Sequence, residues 1–487
     1  MKNSKVCIDA EARVGQVDGC TTLPSAAVCK NARLSRDPRF DGRFVVAVLS
    51  TGIFCRPSCP ARIPAERNVR YFVTAAAAAE GGYRPCKRCR PELAVSMPEW
   101  VLGSPHVARA LRLIDEGFLN DQSVAALASR LDLSERHLGR MFEQRLGVSP
   151  LAIARFKRLQ MARQLLSTEL PLVQVAAYAG YGSVSQFNRE IRKFYDCTPS
   201  ALRRGRGSSR DPHVMTLILP VRQPYNFDWV FDYLGTRAID GVEAVQGHRY
   251  VRQLPNQQGS VVVVREGQQL RVQLPLGVES IYTLVRRVVR VFDLDADSVT
   301  IDTHLQRDGK LAPWVKKAGG LRVPGAWDGF ETAVRAILGQ QVSVVRATEL
   351  ANALIQRYGQ GSFPTPAQLC GKEIAEIGMP GRRGRAISRL AQAVVDREID
   401  FSDACDQDQL TAALMAIPGI GPWTVNYIKL RVCKDPNAFV HNDWVVLKQL
   451  ATTPAKALAR ADAWQPWRSY ALMYLWFAAA QRRLRQD

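Results

Sequence analysis

The sequence predicts a multidomain chain of mixed class: a small α/β domain, an all-α domain, a second α/β domain and a second all-α domain. Three observations predict it. The chain has 487 residues, more than the roughly 250–300 that one core organises. Two close cysteine pairs, Cys55/Cys59 and Cys86/Cys89, set apart an arginine-rich region at 20–95. A helical pattern at 123–150 recurs at 172–199, marking a helical region at 100–204. The stretch 203–212, rich in Gly, Ser and Arg, reads as a linker. Beyond it come strand-like runs at Thr216–Leu219 and Val261–Arg265 and a helical run at Ile281–Phe292, then helical periodicity from Trp314 onward.

Composition narrows the partners. Hydrophobic residues make up 47%, an ordinary globular share, and 66 Lys+Arg against 45 Asp+Glu leave a net charge of +21. Such a balance favours polyanions, nucleic acid foremost, although a basic soluble protein without such a partner would have the same composition. Residues 1–19 read as a loose leader. Met1–Gln16 lacks the apolar segment of a signal peptide, and Ala471–Ala480 is far shorter than the ~20 residues of a membrane span. The expected location is the cytosol, where the 11 cysteines are expected as thiols or metal ligands, not disulfides.

Cys55-Arg-Pro-Ser-Cys59 and Cys86-Lys-Arg-Cys89, 26 residues apart, put four thiolates within reach of one tetrahedral ion, which suits Zn²⁺. Spacing alone also fits a purely structural zinc knot. The runs Phe44–Cys59, Arg67–Val69 and Arg84–Cys89 closely resemble the N-terminal domain of the Ada DNA-repair methyltransferases. The resemblance implies that Cys55 accepts a methyl group, irreversibly, from a methylphosphotriester in DNA. It implies Cys59, Cys86 and Cys89 as the other ligands and brings Thr51, Arg62, Arg84 and Arg88 to the DNA backbone. The chemistry is coherent: only a thiolate is a good nucleophile, a metal keeps sulfur deprotonated, and arginines draw in phosphate. Cys7, Cys20, Cys29, Cys197, Cys370, Cys405 and Cys433 have no ligand spacing.

In the repeat, Ser134, Leu138, Arg140 and Pro150 recur 49 residues later as Ser183, Phe187, Arg189 and Pro199. Each copy has a short apolar helix (Val124–Arg130; Leu172–Ala179), a tight turn and a helix opened by a serine cap. This is helix-turn-helix geometry, whose second helix enters the major groove. The tandem resembles the DNA-binding domain of AraC-type transcription regulators, and the Ada family joins the same two modules in the same order. Arg136, His137 and Arg140 would face the groove in the first copy, and Ser185, Gln186 and Arg189 in the second. The arginines could equally touch phosphates alone. A regulator of this type implies promoter DNA, and RNA polymerase, as partners.

Leu414–Tyr427 holds Pro-Gly-Ile-Gly between two helical runs. Gly419 and Gly421 allow backbone amides to approach a phosphate at a helix N-terminus. Asp443 follows 22 residues after Gly421. Hairpin plus downstream aspartate resembles the helix-hairpin-helix glycosylases, and AlkA-type alkylpurine glycosylases above all. Ala336–Gln340, Ile377–Pro380 and Trp464–Leu472 stand in matching order, and the likeness runs from Val221 to the C-terminus. It implies an α/β domain at 213–308 and an all-α helix-hairpin-helix domain at 309–487. It makes Asp443 the catalytic carboxylate, Trp423, Tyr427 and Trp476 the base pocket, and the Met415, Ile417 and Ile420 carbonyls candidates for a monovalent cation. The aromatics could instead be core packing, the expectation for Trp464 and Trp467. Gln341 stands where the family often has a leucine wedge, and Asn442-Asp443-Trp444 replaces an acidic pair followed by tyrosine.

Reaction type follows from the hairpin. Relatives that cut the DNA strand place a lysine there to form a Schiff base; here the position is Trp423. No iron–sulfur cysteine pattern follows, and no Pro-Cys-His-Arg motif suggests O6-methylguanine repair. The expectation is an alkylation-repair and adaptive-response protein of the bacterial cytosol, associated with the nucleoid. It hydrolyses the N-glycosidic bond of alkylated purines without strand cleavage, accepts methyl on Cys55 and regulates transcription. The alternative, a methylation-sensing activator with an inactive glycosylase half, is opposed by Asp443.

Overall fold

The computed structural model describes residues 23–37, 40–93, 104–168, 170–203, 214–255, 258–277, 281–402 and 406–483. The expected leader at 1–19, most of the linker at 203–212, and Cys7, Cys20 and Cys405 fall outside them. The chain divides into two compact units, the first reaching Pro220 and the second comprising nearly all that follows.

In the first unit, α1 (Ala26–Leu34) precedes β1 (Val45–Val48), β2 (Ile53–Cys55), β3 (Val69–Phe72), α2 (Ala75–Glu80) and β4 (Arg84–Pro85). The sheet order is β3-β1-β2-β4, with β1 antiparallel to β2 and β3, and β4 parallel to β2. Cys29, Ala32, Phe44, Val46 and Val69 form one core cluster, and Phe54 and Ala78 are fully buried as well. A domain this small gains from a further tie.

Eight helices follow: α3 (Pro105–Asp115), α4 (Phe118–Asp121), α5 (Val124–Ser129), α6 (Glu135–Leu146), α7 (Pro150–Leu165), α8 (Leu172–Tyr178), α9 (Val184–Tyr195) and α10 (Pro199–Leu202). The repeat seen in the sequence is local physics made visible. Ser134 and Ser183 cap α6 and α9 by accepting from His137 N and Gln186 N. Leu138 and Phe187 are fully buried. Pro150 and Pro199 open α7 and α10, where a missing N–H costs nothing. Within this unit the cysteine domain rests on the helices: Thr74 Oγ1 donates to Leu146 O (3.2 Å), Gln160 Nε2 to Glu92 O (2.5 Å), and Phe54 meets Phe194 at 6.4 Å. β5 (Val214–Pro220) closes the unit.

The second unit holds α11 (Phe227–Gly235), then β6 (Glu243–Gln246), β7 (Arg249–Gln253), β8 (Ser260–Glu266) and β9 (Gln269–Pro275) as an antiparallel meander. Helices α12 (Ile281–Val291), α13 (Ser298–Leu305), α14 (Ala312–Lys317), α15 (Gly329–Leu338), α16 (Val344–Tyr358), α17 (Pro366–Leu369), α18 (Gly381–Val395), α19 (Gln407–Met415), α20 (Pro422–Arg431), α21 (Trp444–Leu450), α22 (Pro454–Ala461) and α23 (Arg468–Arg483) complete it. The mixed multidomain class expected from the sequence is what the chain adopts. Leu338, Leu354, Ile387, Leu390, Leu414 and Ile428, each buried, come from α15, α16, α18, α19 and α20 and form one core that fixes the hairpin between α19 and α20.

Candidate functional sites

In the first unit, β2 delivers Cys55 and the turn after it Cys59, while Cys86 and Cys89 follow β4. The β2–β4 pairing brings the two cysteine pairs together: Arg84 N donates to Gly52 O and Cys86 N to Phe54 O. The four sulfurs lie within 4.8 Å of one another, Cys59 and Cys86 buried, Cys55 and Cys89 partly open. Four clustered soft donors fit one Zn²⁺. A hydrogen bond from Cys55, with help from Arg56 N, pulls the Cys89 thiol down to about 6 against the effect of burial. That same bond and burial push Cys55 upward, and burial takes Cys59 to about 11. So tight a group of thiols cannot all ionise without a cation among them.

Thr51, Arg62 and Arg88 are exposed near this cluster. Arg84 is engaged differently: its guanidinium pairs with the Asp196 carboxylate. Asp196 ends α9 in the left-handed conformation (φ 55°), the position held by Gly147 in the first repeat. Asp tolerates that conformation better than most residues, and here its side chain ties the second helix-turn-helix to the cysteine domain. Arg136, His137, Arg140, Ser185 and Arg189 are exposed, Gln186 half-buried. Arg140 lies 3.2 Å from His137 Nδ1, and Gln186 Nε2 donates to Glu190 (3.4 Å).

In the second unit, Gly419 turns the hairpin with φ 103°, and a Cβ there would meet Ala386 at 3.1 Å; glycine is needed for both reasons. Gln340, not singled out in the sequence, locks the turn: its Nε2 donates to Gly419 O and Thr424 Oγ1, both at 2.9 Å. Arg383 in turn holds Gln340 O (3.0 Å). Next to Gln340, Gln341 is exposed and left-handed (φ 56°). Gly421 is the N-cap of α20. The Ile417 carbonyl accepts from Ile420 N (3.0 Å), and the Met415 side chain is exposed.

Asp443 is the N-cap of α21. Its Oδ1 accepts from Val446 N (3.1 Å) and Trp476 Nε1 (3.3 Å), and its Oδ2 from Trp423 Nε1 (3.2 Å). Trp423 stacks on Tyr427 at 5.3 Å and 10°, and Trp476 lies 6.4 Å from Tyr427. The three aromatics and the aspartate therefore form one constellation, each ring partly open. Trp464 and Trp467 are core residues, and Trp464 Nε1 donates to Asp308 (2.9 Å). Trp444, beside Asp443, is 64% exposed. No described helix is long and apolar enough to cross a membrane.

Family profiles match four segments in order: "Metal binding domain of Ada" at 28–92, "Helix-turn-helix domain" at 127–205, "AlkA N-terminal domain" at 216–328 and "HhH-GPD superfamily base excision DNA repair protein" at 334–468. A Mycobacterium tuberculosis protein described as a probable bifunctional transcriptional activator/DNA repair enzyme AlkA is 40% identical over 473 residues, 92% of this chain and 95% of its own. The chain belongs to that bifunctional Ada–AlkA family. Its halves match separate proteins elsewhere. Escherichia coli DNA-3-methyladenine glycosylase 2 is 33% identical over 52% of this chain and 94% of its own. The E. coli bifunctional transcriptional activator/DNA repair enzyme Ada is 34% identical over 35% of this chain and 47% of its own. For an Ada–AlkA chain, the four clustered cysteines are a site for one Zn²⁺.

Proposed function

We propose that this chain excises alkylated purines such as 3-methyladenine from duplex DNA, accepts methyl from DNA phosphotriesters on Cys55, and uses its helix-turn-helix pair to bind promoter DNA. The observation that carries the first part is the Asp443 carboxylate, gripped by two indole N–H groups and a helix N-terminus beside the stacked Trp423 and Tyr427.

Alkylation at N3 or N7 makes a purine cationic, so it leaves as a neutral base when the glycosidic bond breaks. The nucleotide must first leave the stack. Gln341, exposed and left-handed next to Gln340, would fill the gap. Trp423, Tyr427 and Trp476 receive the base, and a face-on cation–π contact contributes ~0.5–2 kcal/mol. Asp443 then lies against the sugar, where its charge stabilises the developing cation and orients the water that adds to C1′. Gly419 and Gly421 present the hairpin amides to a phosphate, and a monovalent cation on the Met415, Ile417 and Ile420 carbonyls would strengthen that grip.

In the first unit, Cys55, Cys59, Cys86 and Cys89 would hold Zn²⁺, which would keep their sulfurs deprotonated. The Cys55 sulfur attacks the methyl carbon, the methyl–oxygen bond breaks, and the phosphodiester leaves as an anion. Thr51, Arg62, Arg84 and Arg88 meet the backbone. For Arg84 this requires release from Asp196. With Zn²⁺ held by the four cysteines, methylation of Cys55 would change the formal charge of the group from −2 to −1. At ~4 Å and effective dielectrics of 80–20 a unit charge is worth ~1–4 kcal/mol, enough to tighten operator binding about tenfold. Arg136, His137, Arg140, Ser185, Gln186 and Arg189 read or position the promoter, and RNA polymerase is the recruited partner. The cytosol, at the nucleoid, is the matching location.

The test is a duplex carrying 3-methyladenine. The expected result is free base and an abasic strand that stays intact until treated with alkali, with no borohydride-trapped adduct, since the hairpin has Trp423 and no lysine. No base release, or a trapped adduct, would refute this reading.

A further inference from the structure

Behind the base-pocket aromatics lies a buried charge cluster that the chemistry above does not use. Arg237, Arg252, Arg335 and Arg431 line one cavity with only two carboxylates, Glu243 and Glu331. Both carboxylates are taken. Glu331 binds Arg252 and Arg335 (2.9 Å), and Glu243 binds Arg335 (2.8 Å) and the Tyr250 hydroxyl (2.9 Å). Among the described residues, no carboxylate pairs with Arg431 or Arg237.

Arg431 is buried. Its Nε and Nη2 donate to the Pro324 and Gly325 carbonyls, and its Nη1 to two tyrosine hydroxyls, Tyr233 (2.8 Å) and Tyr427 (2.9 Å). Arg237 lies over the Tyr233 ring at 3.8 Å. Arg237 is half-buried and shares its charge with solvent, but Arg431 is buried with no carboxylate beside it, which is costly in a desolvated site unless an anion joins it. The two hydroxyls on Arg431 are 3.3 Å apart, so one can donate to the other. Of the two, only Tyr427 also reaches the base pocket, by stacking on Trp423.

We propose that Tyr427 is the charge-selecting residue of the base pocket: its hydroxyl yields its proton to solvent, the phenolate balances Arg431, and the negative charge spread over the stacked ring favours a cationic purine over a neutral one. This rests on the base-pocket reading above. The groups facing it bear out the direction. Burial pushes the Tyr427 hydroxyl up, but Arg431, Arg237, the Tyr233 hydrogen bond and Arg335 outweigh burial and bring it to about 8. Burial holds Tyr233 above the ordinary tyrosine value, leaving it the donor. The phenolate is therefore present above about pH 8 and lost below it, and selectivity for cationic bases rises with pH through that point.

The test has two arms on the full chain. Phenolate absorbance of the free protein is followed against pH. One tyrosine should titrate through about pH 8, vanish in Tyr427→Phe, and move upward in Tyr233→Phe, which removes one hydroxyl and leaves the ring in place. In the second arm, kcat/KM for 3-methyladenine is divided by that for hypoxanthine, a neutral base. The ratio should rise on the order of tenfold across the same pH range and stay flat in Tyr427→Phe. A tyrosine that titrates only near its ordinary value, or a ratio that ignores pH, overturns the proposal. Failure of the base-pocket reading looks different: Trp423→Ala and Tyr427→Phe would then leave excision of both lesions unchanged.

Discussion

Gln341 and Asp443 occupy opposite kinds of position. Asp443 sits in relaxed backbone and gains three N–H bonds from its surroundings. Gln341 is held at φ 56°, which costs a non-glycine residue on the order of 1 kcal/mol. Such strain persists where the side chain has a task. Gln341→Gly removes both, so we expect the melting temperature not to fall while base excision drops. Thermal melts and single-turnover excision on the same preparation check this, and unchanged excision would remove Gln341 from the flipping step. The hairpin and its spacing singled out Asp443, and the family resemblance singled out Trp423 and Tyr427. Their partners were not legible in the sequence. Tyr233 and Arg431 lie 198 residues apart and meet only through tertiary packing, which no local periodicity encodes.

The two helix-turn-helix copies show how one element is reused with a change at its end. Serine cap, buried Leu138 or Phe187, and opening proline recur, and these were visible because each is a local requirement. At the helix C-terminus the copies diverge, from Gly147 to Asp196, and the difference buys a partner, Arg84. Sequence pattern could not show this, because an Asp after a helix reads as an ordinary turn residue. The pair is 42% and 73% exposed, so its coupling in a double-mutant cycle of Arg84→Ala and Asp196→Ala should be ~1 kcal/mol or less. The same cycle read on methyl transfer should show a larger effect of Arg84→Ala than of Asp196→Ala if Arg84 meets the phosphate as proposed. Equal losses would make Arg84 a structural residue alone.

The division of the whole chain into two units has a consequence for metal removal. The cysteine domain is small, and Zn²⁺ bound by its four clustered cysteines would add to its stability, as in other small metal-held folds. Chelation under mild denaturing conditions should abolish methyl acceptance and weaken promoter binding while base excision continues at its original rate. Parallel loss of excision would mean that the units do not work separately. The order of modules was readable from composition and motifs, whereas the cysteine domain's seat on the helices, through Thr74, Gln160 and Phe54, required the fold. In the proposed mechanism, the charge of Asp443 drives base release by the glycosylase domain of the second unit. Asp443→Asn keeps the side-chain shape and a competent helix cap but removes the charge. Single-turnover release of 3-methyladenine, with lesion-DNA affinity measured alongside, tests it most directly. The rate should fall on the order of 10³-fold with affinity nearly unchanged; near-native release by the Asn variant would remove Asp443 from the chemistry.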